Sequence, residues 1–372
     1  MIELITEPTY VARIKVVGVG GAGCNAIQYL VESNVRGVEY IAANTDIQAL
    51  ERIKVANRIQ LGPNLTRGLG AGGDPEIGRK AAEESREEIR ERLMETDMVF
   101  VTAGMGGGTG TGAAPIIAEE AKGLNALVVA VVTRPFDFEA RKKAKIAELG
   151  IEELKARVDT LIIIPNQRLL AIAAKQTVDE AFRVGTQVLY NAISSIAELI
   201  TRPGLINLDF ADIKTVMTEK GSALMGMGYG EGENRAQIAA ASAISSPLLD
   251  DLSIKGAKGL IINVAGGHDL TMAEVEEANS IVVEAAGGDP MVFSGVITGD
   301  ESLEGKVKVS VIATGIEEPV PLHKEAGMAI FEKRRPDFEP PTFIRQRRKE
   351  AKVAFVDEDN LEIPTFLRRQ AD

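Results

Sequence analysis

The sequence has no tryptophan, one cysteine and two histidines in 372 residues. With Cys24 alone, no intrachain disulfide can form, and the chain fits a reducing compartment, so the cytosol is the expected home. His268 and His323 have no partner at ligand spacing, which excludes a histidine-based zinc site and a Ser-His-Asp triad. Positive charge is also short. Asp and Glu number 54 against 42 Lys and Arg, a formal net charge of −12, which argues against nucleic acid as a partner. No apolar run approaches the roughly 18–20 residues that span a bilayer, so no direct membrane insertion is expected. Residues 1–10 carry two glutamates and no basic segment, and so do not read as a secretory signal. Chemistry must then run on carboxylates, amides, backbone dipoles or a bound cation.

What is present is an ordinary globular composition, 45% hydrophobic and 26% charged, enough for two packed cores. Short apolar runs at 14–19, 38–42, 98–102, 126–132 and 161–164 alternate with amphipathic segments. One such segment, 74–94, opens with Asp74 as N-cap and Pro75 at the first helical position. This pattern predicts an α/β fold with a parallel, Rossmann-like sheet covered by helices on both faces, with ligands at the carboxyl ends of the strands. Thr177 and Glu180 form a capping box ahead of a long helix. Its stripe, including Phe182, Leu189, Ile193 and Ile196, continues until Pro203-Gly204 and places the helix between two domains or in a core. Strand patterns at 259–264, 291–298 and 306–314, with helical segments at 234–244 and 271–285, predict a second, smaller α/β unit. Met225 and Met227, near Gly226 and Gly228, read as packing or subunit-contact residues. Past residue 316 proline and charge dominate, which reads as a disordered linker.

Two glycine loops carry the chemical signal. The first strand runs into Gly18-Val19-Gly20-Gly21-Ala22-Gly23-Cys24-Asn25, a G-x-G-x-x-G pattern opening a helix. Such a loop lets backbone approach phosphate oxygens and presents oriented N–H donors, although it also suits a plain tight turn. After the strand at 98–102 comes Gly104-Met105-Gly106-Gly107-Gly108-Thr109-Gly110-Thr111-Gly112, six glycines in nine residues. A run so costly inside a helix or strand reads as an anion nest, with Thr109 and Thr111 as added hydroxyl donors. A third glycine-rich turn occupies 68–73. Two or three such loops at strand ends mean a multi-phosphate ligand. No lysine follows them, so the Walker pattern is absent.

Residues 20–25, the G-M-G-G-G-T-G-T-G run, Thr133-Arg134-Pro135-Phe136 and Asn207-Leu208-Asp209-Phe210-Ala211-Asp212 together resemble the FtsZ family of bacterial tubulin-like division proteins. The resemblance spans 12–316 and resumes at 361–372. It implies GTP/GDP as nucleotide, Mg²⁺ as counter-ion, head-to-tail protofilaments of the chain with itself, and action at the mid-cell division site. The nucleotide-binding set it implies is Gly20, Gly21, Ala22, Gly23, Cys24, Asn25, Asn44, Ala71, Gly72, Gly73, Gly104, Gly106, Gly107, Gly108, Thr109, Gly110, Pro135, Glu139, Lys143, Asn166, Phe182 and Thr186. Of these, 21–25 and 108–110 would hold phosphates, Asn44 and Glu139 would face the ribose, and Asn166 and Phe182 the guanine. Read from the helix stripe alone, Phe182 is a core residue. Lys143 stands where arginine is common, keeping charge without the bidentate fork. Thr186 stands where a carboxylate or amide often touches the base, which leaves guanine selectivity on Asn166 and nearby backbone.

Asp209 and Asp212 lie three apart at a helix start, on one face and at the positive end of the dipole. Spacing alone allows a simple capped N-terminus. The resemblance implies instead that they reach the neighbouring subunit's γ-phosphate and polarise water, with Asn207 positioning it. The implied organisation is an N-terminal extension (1–11), a GTP-binding domain (12–176), a central helix (177–201), a GTPase-activating domain (202–316), the linker (317–357) and a partner-binding peptide (358–372). In the last, Leu361, Ile363, Pro364, Phe366, Leu367 and Arg368 would dock membrane-tethering division proteins. Two alternatives stand beside this reading. One is an NAD-type oxidoreductase, which needs an acidic residue ending the second strand where Asn44 stands, with Asp46 two further on. The other is a GTP-binding adaptor that neither hydrolyses nor polymerises.

Overall fold

The computed structural model describes residues 12–316 except 34, 36, 174–176, 202–204, 207, 220, 247–248 and 250–252, and only the backbone of 171–173, 178 and 179. The expected N-terminal extension, linker, partner-binding peptide and Asn207 lie outside the described residues.

The alternation of apolar and amphipathic segments is realised as β1 (Ile14–Val19), α1 (Gly20–Glu32), β2 (Val38–Asn44), α2 (Ile47–Glu51), β3 (Asn57–Gln60), α3 (Pro63–Thr66), α4 (Pro75–Glu84) and α5 (Arg86–Leu93). There follow β4 (Met98–Gly104), α6 (Thr109–Gly123), β5 (Leu127–Arg134), α7 (Arg141–Lys155), β6 (Thr160–Pro165), α8 (Asn166–Ala173) and the long α9 (Val178–Thr201). The remainder is α10 (Phe210–Met217), β7 (Ser222–Glu231), α11 (Arg235–Ile244), β8 (Gly259–Gly266), α12 (Met272–Ala286), β9 (Met291–Ile297) and β10 (Lys306–Ile316). No helix among the described residues is long and apolar enough to cross a membrane.

The strands form one sheet in the order β3-β2-β1-β4-β5-β6-β7-β10-β8-β9. The pairs from β3 to β6 are all parallel, whereas β10 runs antiparallel to both β7 and β8. Register sets where the loops emerge. Val19 lies opposite Ala103, Gly104 opposite Thr133, and Arg134 opposite Pro165. The carboxyl ends of β1, β4, β5 and β6 therefore open on one rim, the place where parallel sheets bind ligands.

Alternate strand residues feed opposite cores, as a period of two requires. Val16, Phe100 and Val129 pack with α1 and α9, while Val17, Val101 and Val128 pack with α4, α6 and α7. The α9 stripe (Leu189, Ala192, Ile193, Ile196, Leu199) is buried between strands of the parallel part and Ile261 and Ile312 of the antiparallel part. The capping box at Thr177 is formed, with Glu180 N–H donating to Thr177 Oγ1 at 3.3 Å and Thr177 N–H to Glu180 Oε2 at 2.8 Å.

The structure departs from the sequence pattern in three places. The helix expected over 74–94 is two helices, broken at Ser85. The Ser85 hydroxyl accepts from Gly62 N–H at 3.0 Å and donates to Gln60 O at 3.3 Å, so it serves the turn after β3 rather than a continuous helix. The β3 strand carries one apolar residue among three polar ones and leaves no periodic signal. In β7, Gly226, Gly228 and Gly230 make a bare stripe. A Cβ on them would sit 2.1, 2.1 and 1.9 Å from carbonyl oxygens of α11, so the glycines exist to let that helix lie on the strand.

Candidate functional site

The site grows from two helix N-termini. The Asp46, Asp74 and Thr271 side chains cap α2, α4 and α12. Neither α1 nor α6 has a side-chain cap, so the orphan N–H groups of both are left for another acceptor. They converge on a cavity of about 360 Å³ lined by Gly21, Ala22 and Asn25 of α1, Gly104 and 107–110 of the second loop, and Thr133, Pro135, Glu139, Lys143, Asn166, Phe182 and Thr186. A Cβ at Gly21 or Gly107 would meet nothing within 4 Å, so both backbones face open cavity. Gly20 (φ +69°) and Gly106 (φ +97°) make the turns, the latter with Lys143 backbone against it.

The loop is braced from below. A Cβ at Gly108 would lie 2.8 Å from Ala71 Cβ, so the 68–73 turn backs it; Ala71 is buried, and Gly72 and Gly73 are exposed and do not line the cavity. Thr111 Oγ1 accepts from Gly106 N–H at 2.8 Å, and the Thr109 and Thr45 hydroxyls are 2.6 Å apart. Thr111, expected as a ligand donor, therefore stiffens the loop instead.

Not every expected residue reaches the cavity. Gly20, Gly23 and Cys24 at the start of α1, Asn44 at the end of β2 and Gly106 in the second loop do not line it. Asn44 is buried and its Oδ1 accepts from Asp46 N–H at 3.4 Å. The Cys24 thiol sits 3.7 Å from Gly18 O and 3.9 Å from Ala43 O, and burial pushes its pKa up to about 12, so it is no nucleophile at neutral pH. Phe182 is not core: it is 45% exposed, with its ring edge-on to Phe136 at 5.2 Å. Thr133, Gly185 and Leu189 also line the cavity and were not foreseen. Gly185 borders Asn166: a Cβ there would stand 3.4 Å from Asn166 Oδ1, an ordinary contact.

Glu139 is the one carboxylate among the lining residues, and it is engaged. Its Oε1 accepts from Phe136 N–H at 2.9 Å and its Oε2 from Lys143 Nζ. Asn166 is 9% exposed and its Oδ1 has no partner. Asp209 and Asp212 lie apart from the cavity, in the first turn of α10, which packs on β8 and β9. Asp209 occupies the N-cap position without a cap hydrogen bond, and neither carboxylate has a partner among the described residues. The arrangement can hold a polyanion on backbone donors and a ring against Phe182, but among the described residues it supplies no free carboxylate beside it.

Known proteins match this arrangement. The model for the Tubulin/FtsZ family GTPase domain matches residues 13–174, and that for the FtsZ family C-terminal domain matches 221–317. The cell division protein FtsZ of Coxiella burnetii is 46% identical over 99% of both chains, and that of Pseudomonas aeruginosa 45% identical over the whole of both. Among solved structures, an FtsZ dimer from M. jannaschii superposes with a TM-score of 0.79 at 46% identity, covering 82% of this chain and 89% of that one. CetZ1 from Haloferax volcanii, at 22% identity and TM-score 0.70 over 86% of this chain and 99% of that one, shares the fold. The NAD alternative has no support here, since β2 ends at the buried Asn44 and the second glycine loop joins the same cavity. Two uncapped helix ends, a glycine-lined cavity and these matches together place the chain in the FtsZ family of cell-division proteins, with the Tubulin/FtsZ GTPase domain at its amino-terminal side.

Proposed function

We propose that this GTPase works between copies: one holds the triphosphate, and the next closes it with the first turn of α10. The observation that carries this is the separation of donors from base. The cavity is rich in backbone N–H groups while Glu139 is tied, and the unpartnered carboxylates, Asp209 and Asp212, sit elsewhere on the chain. A 46%-identical relative solved as a dimer supports association of copies. Because the cavity and α10 are different surfaces, their contact is heterologous and propagates head to tail into a filament.

In this reading the N–H groups of α1 and α6 receive the phosphates, Gly21 and Gly107 leave room for them, and Asn166 and Phe182 hold the base. Asp209 or Asp212 of the incoming copy accepts a proton from the attacking water as its oxygen bonds to the γ-phosphorus and the bond to the β,γ-bridging oxygen breaks, with Asn207 orienting that water. Mg²⁺ is the expected counter-ion, supplying charge neutralisation when bound. No three His, Cys, Asp or Glu side chains converge among the described residues, which fits an ion held chiefly by phosphate oxygens and water. The division into a GTP-binding part, central helix and activating part is supported by the change from parallel to antiparallel pairing beyond β7. The peptide 358–372 docks tethering proteins at mid-cell, a reading supported by its sequence and by matches that run the full length of both chains.

Phosphate release per chain, measured against total protein at fixed GTP, tests the central point. Turnover should be near zero at low concentration and rise sharply beyond an onset. A rate per chain that is constant down to nanomolar protein would overturn it.

A further inference from the structure

The end of the cavity away from the glycine loops lies where β6 and α9 meet, two strands from β4 and so about 10 Å across the sheet, roughly the span of a sugar between phosphates and base. Three side chains there can meet a purine. Phe182 offers a ring face. Asn166 lines the cavity, nine-tenths buried, with an enclosed and unpartnered Oδ1; turned toward the cavity, its amide sets an acceptor and donors side by side, which match the N1–H and O6 edge of a 6-oxopurine. That pairing consumes the amide. The 2-amino group that sets guanine apart from hypoxanthine then needs another acceptor.

Thr186 is the side chain left to provide it. Its hydroxyl donates to Phe182 O at 3.2 Å, so toward the cavity it presents a neutral oxygen with lone pairs only. No free carboxylate lines the cavity among the described residues, since Glu139 is held by Lys143 and by Phe136 N–H. A hydrogen bond to a neutral acceptor contributes a few-fold to affinity, whereas one to a carboxylate contributes roughly tenfold to a hundredfold.

We infer that Thr186 makes this site tolerant of purines lacking the 2-amino group, so that inosine triphosphate is taken nearly as well as guanosine triphosphate. The inference rests on reading the cavity as the GTP site. Asn166 fixes the 6-oxo edge; Thr186 sets how much the 2-amino group counts.

The test is displacement of a fluorescent GTP analogue from the full chain by GTP and by ITP, repeated on Thr186→Asp and Thr186→Val, with phosphate release measured for both nucleotides. The unmodified chain should prefer GTP by less than about tenfold. Thr186→Asp should widen the preference at least tenfold, and Thr186→Val should narrow it toward parity, through loss of GTP affinity with ITP unchanged. A preference above tenfold in the unmodified chain, or one that neither variant moves, overturns the inference while leaving the GTP site intact. Failure of both nucleotides to displace the analogue removes the GTP reading and this inference with it.

Discussion

Glycines of one run do different work, and a methyl group separates Gly107 of the loop from Gly112 inside α6. At Gly107 an added Cβ meets nothing within 4 Å and points into the cavity; at Gly112 it would lie 2.0 Å from Pro75 O. Gly107→Val should therefore weaken GTP binding more than tenfold, over about 1.4 kcal/mol, with an unchanged denaturation midpoint. Gly112→Ala should do the reverse, costing about 1–3 kcal/mol of stability by wedging α4 from α6 while the folded fraction still binds. Binding isotherms alongside urea titrations separate the two. This contrast is invisible in the sequence, where both residues belong to one run. The run itself was legible because absence of side chains is a chemical signal. Phe182 was legible only through the family resemblance: helical spacing assigns it to a core stripe, whereas in the structure it is exposed and lines the cavity.

Elements were legible where their period is unmixed. Strands such as β1, β8 and β10 are buried on both faces and read as apolar runs, and α9 announces itself by cap and stripe. What escaped depends on partners distant in sequence: Ser85, whose hydroxyl serves a turn some 20 residues earlier, and β7, whose glycines answer to α11. A further element-scale device is the clamp that Arg235 makes between α11 and the start of α12. Its Nε donates to Glu274 Oε1 at 2.6 Å and its Nη2 to Asp269 O at 2.9 Å, while Glu274 also closes the capping box with Thr271. The Arg235 guanidinium, ahead of all other causes, holds the Glu274 pKa down at about 2, against an ordinary 4.5. A depressed carboxyl stabilises the fold fully above about pH 4.5 and loses that contribution as pH falls toward 2, because the unfolded chain takes up its proton first. Arg235→Met should cost about 1–3 kcal/mol at pH 7. At pH 3 the gap between variant and unmodified chain should shrink. A gap equally wide at both values would mean that Arg235 acts by packing alone.

At the scale of the whole molecule, a chain with net charge −12 needs a local attraction for a triphosphate, and the proposed site builds it from helix ends and backbone, with Lys143 as a lining cation. Among the described residues the cavity has no free carboxylate, and on the proposed reading the two halves of the chemistry can be broken separately. Asp212→Asn keeps the cavity whole and removes the carboxylate; Gly107→Val spoils the cavity and keeps the carboxylate. Asp212→Asn alone should turn over GTP at least a hundredfold more slowly than the unmodified chain, since a missing general base costs about 10²–10⁴ in rate. Gly107→Val alone, at GTP below its weakened affinity, should be slower by at least the roughly tenfold lost in binding. In an equimolar mixture, random head-to-tail contacts give one interface in four with an intact cavity facing an intact Asp212. Phosphate release should then rise to as much as about a quarter of the unmodified rate. The gain should vanish on dilution below the assembly onset, because on the proposed reading the working site forms only where two chains meet. Mixtures that never exceed the sum of their separate rates would place cavity and carboxylate in the same chain.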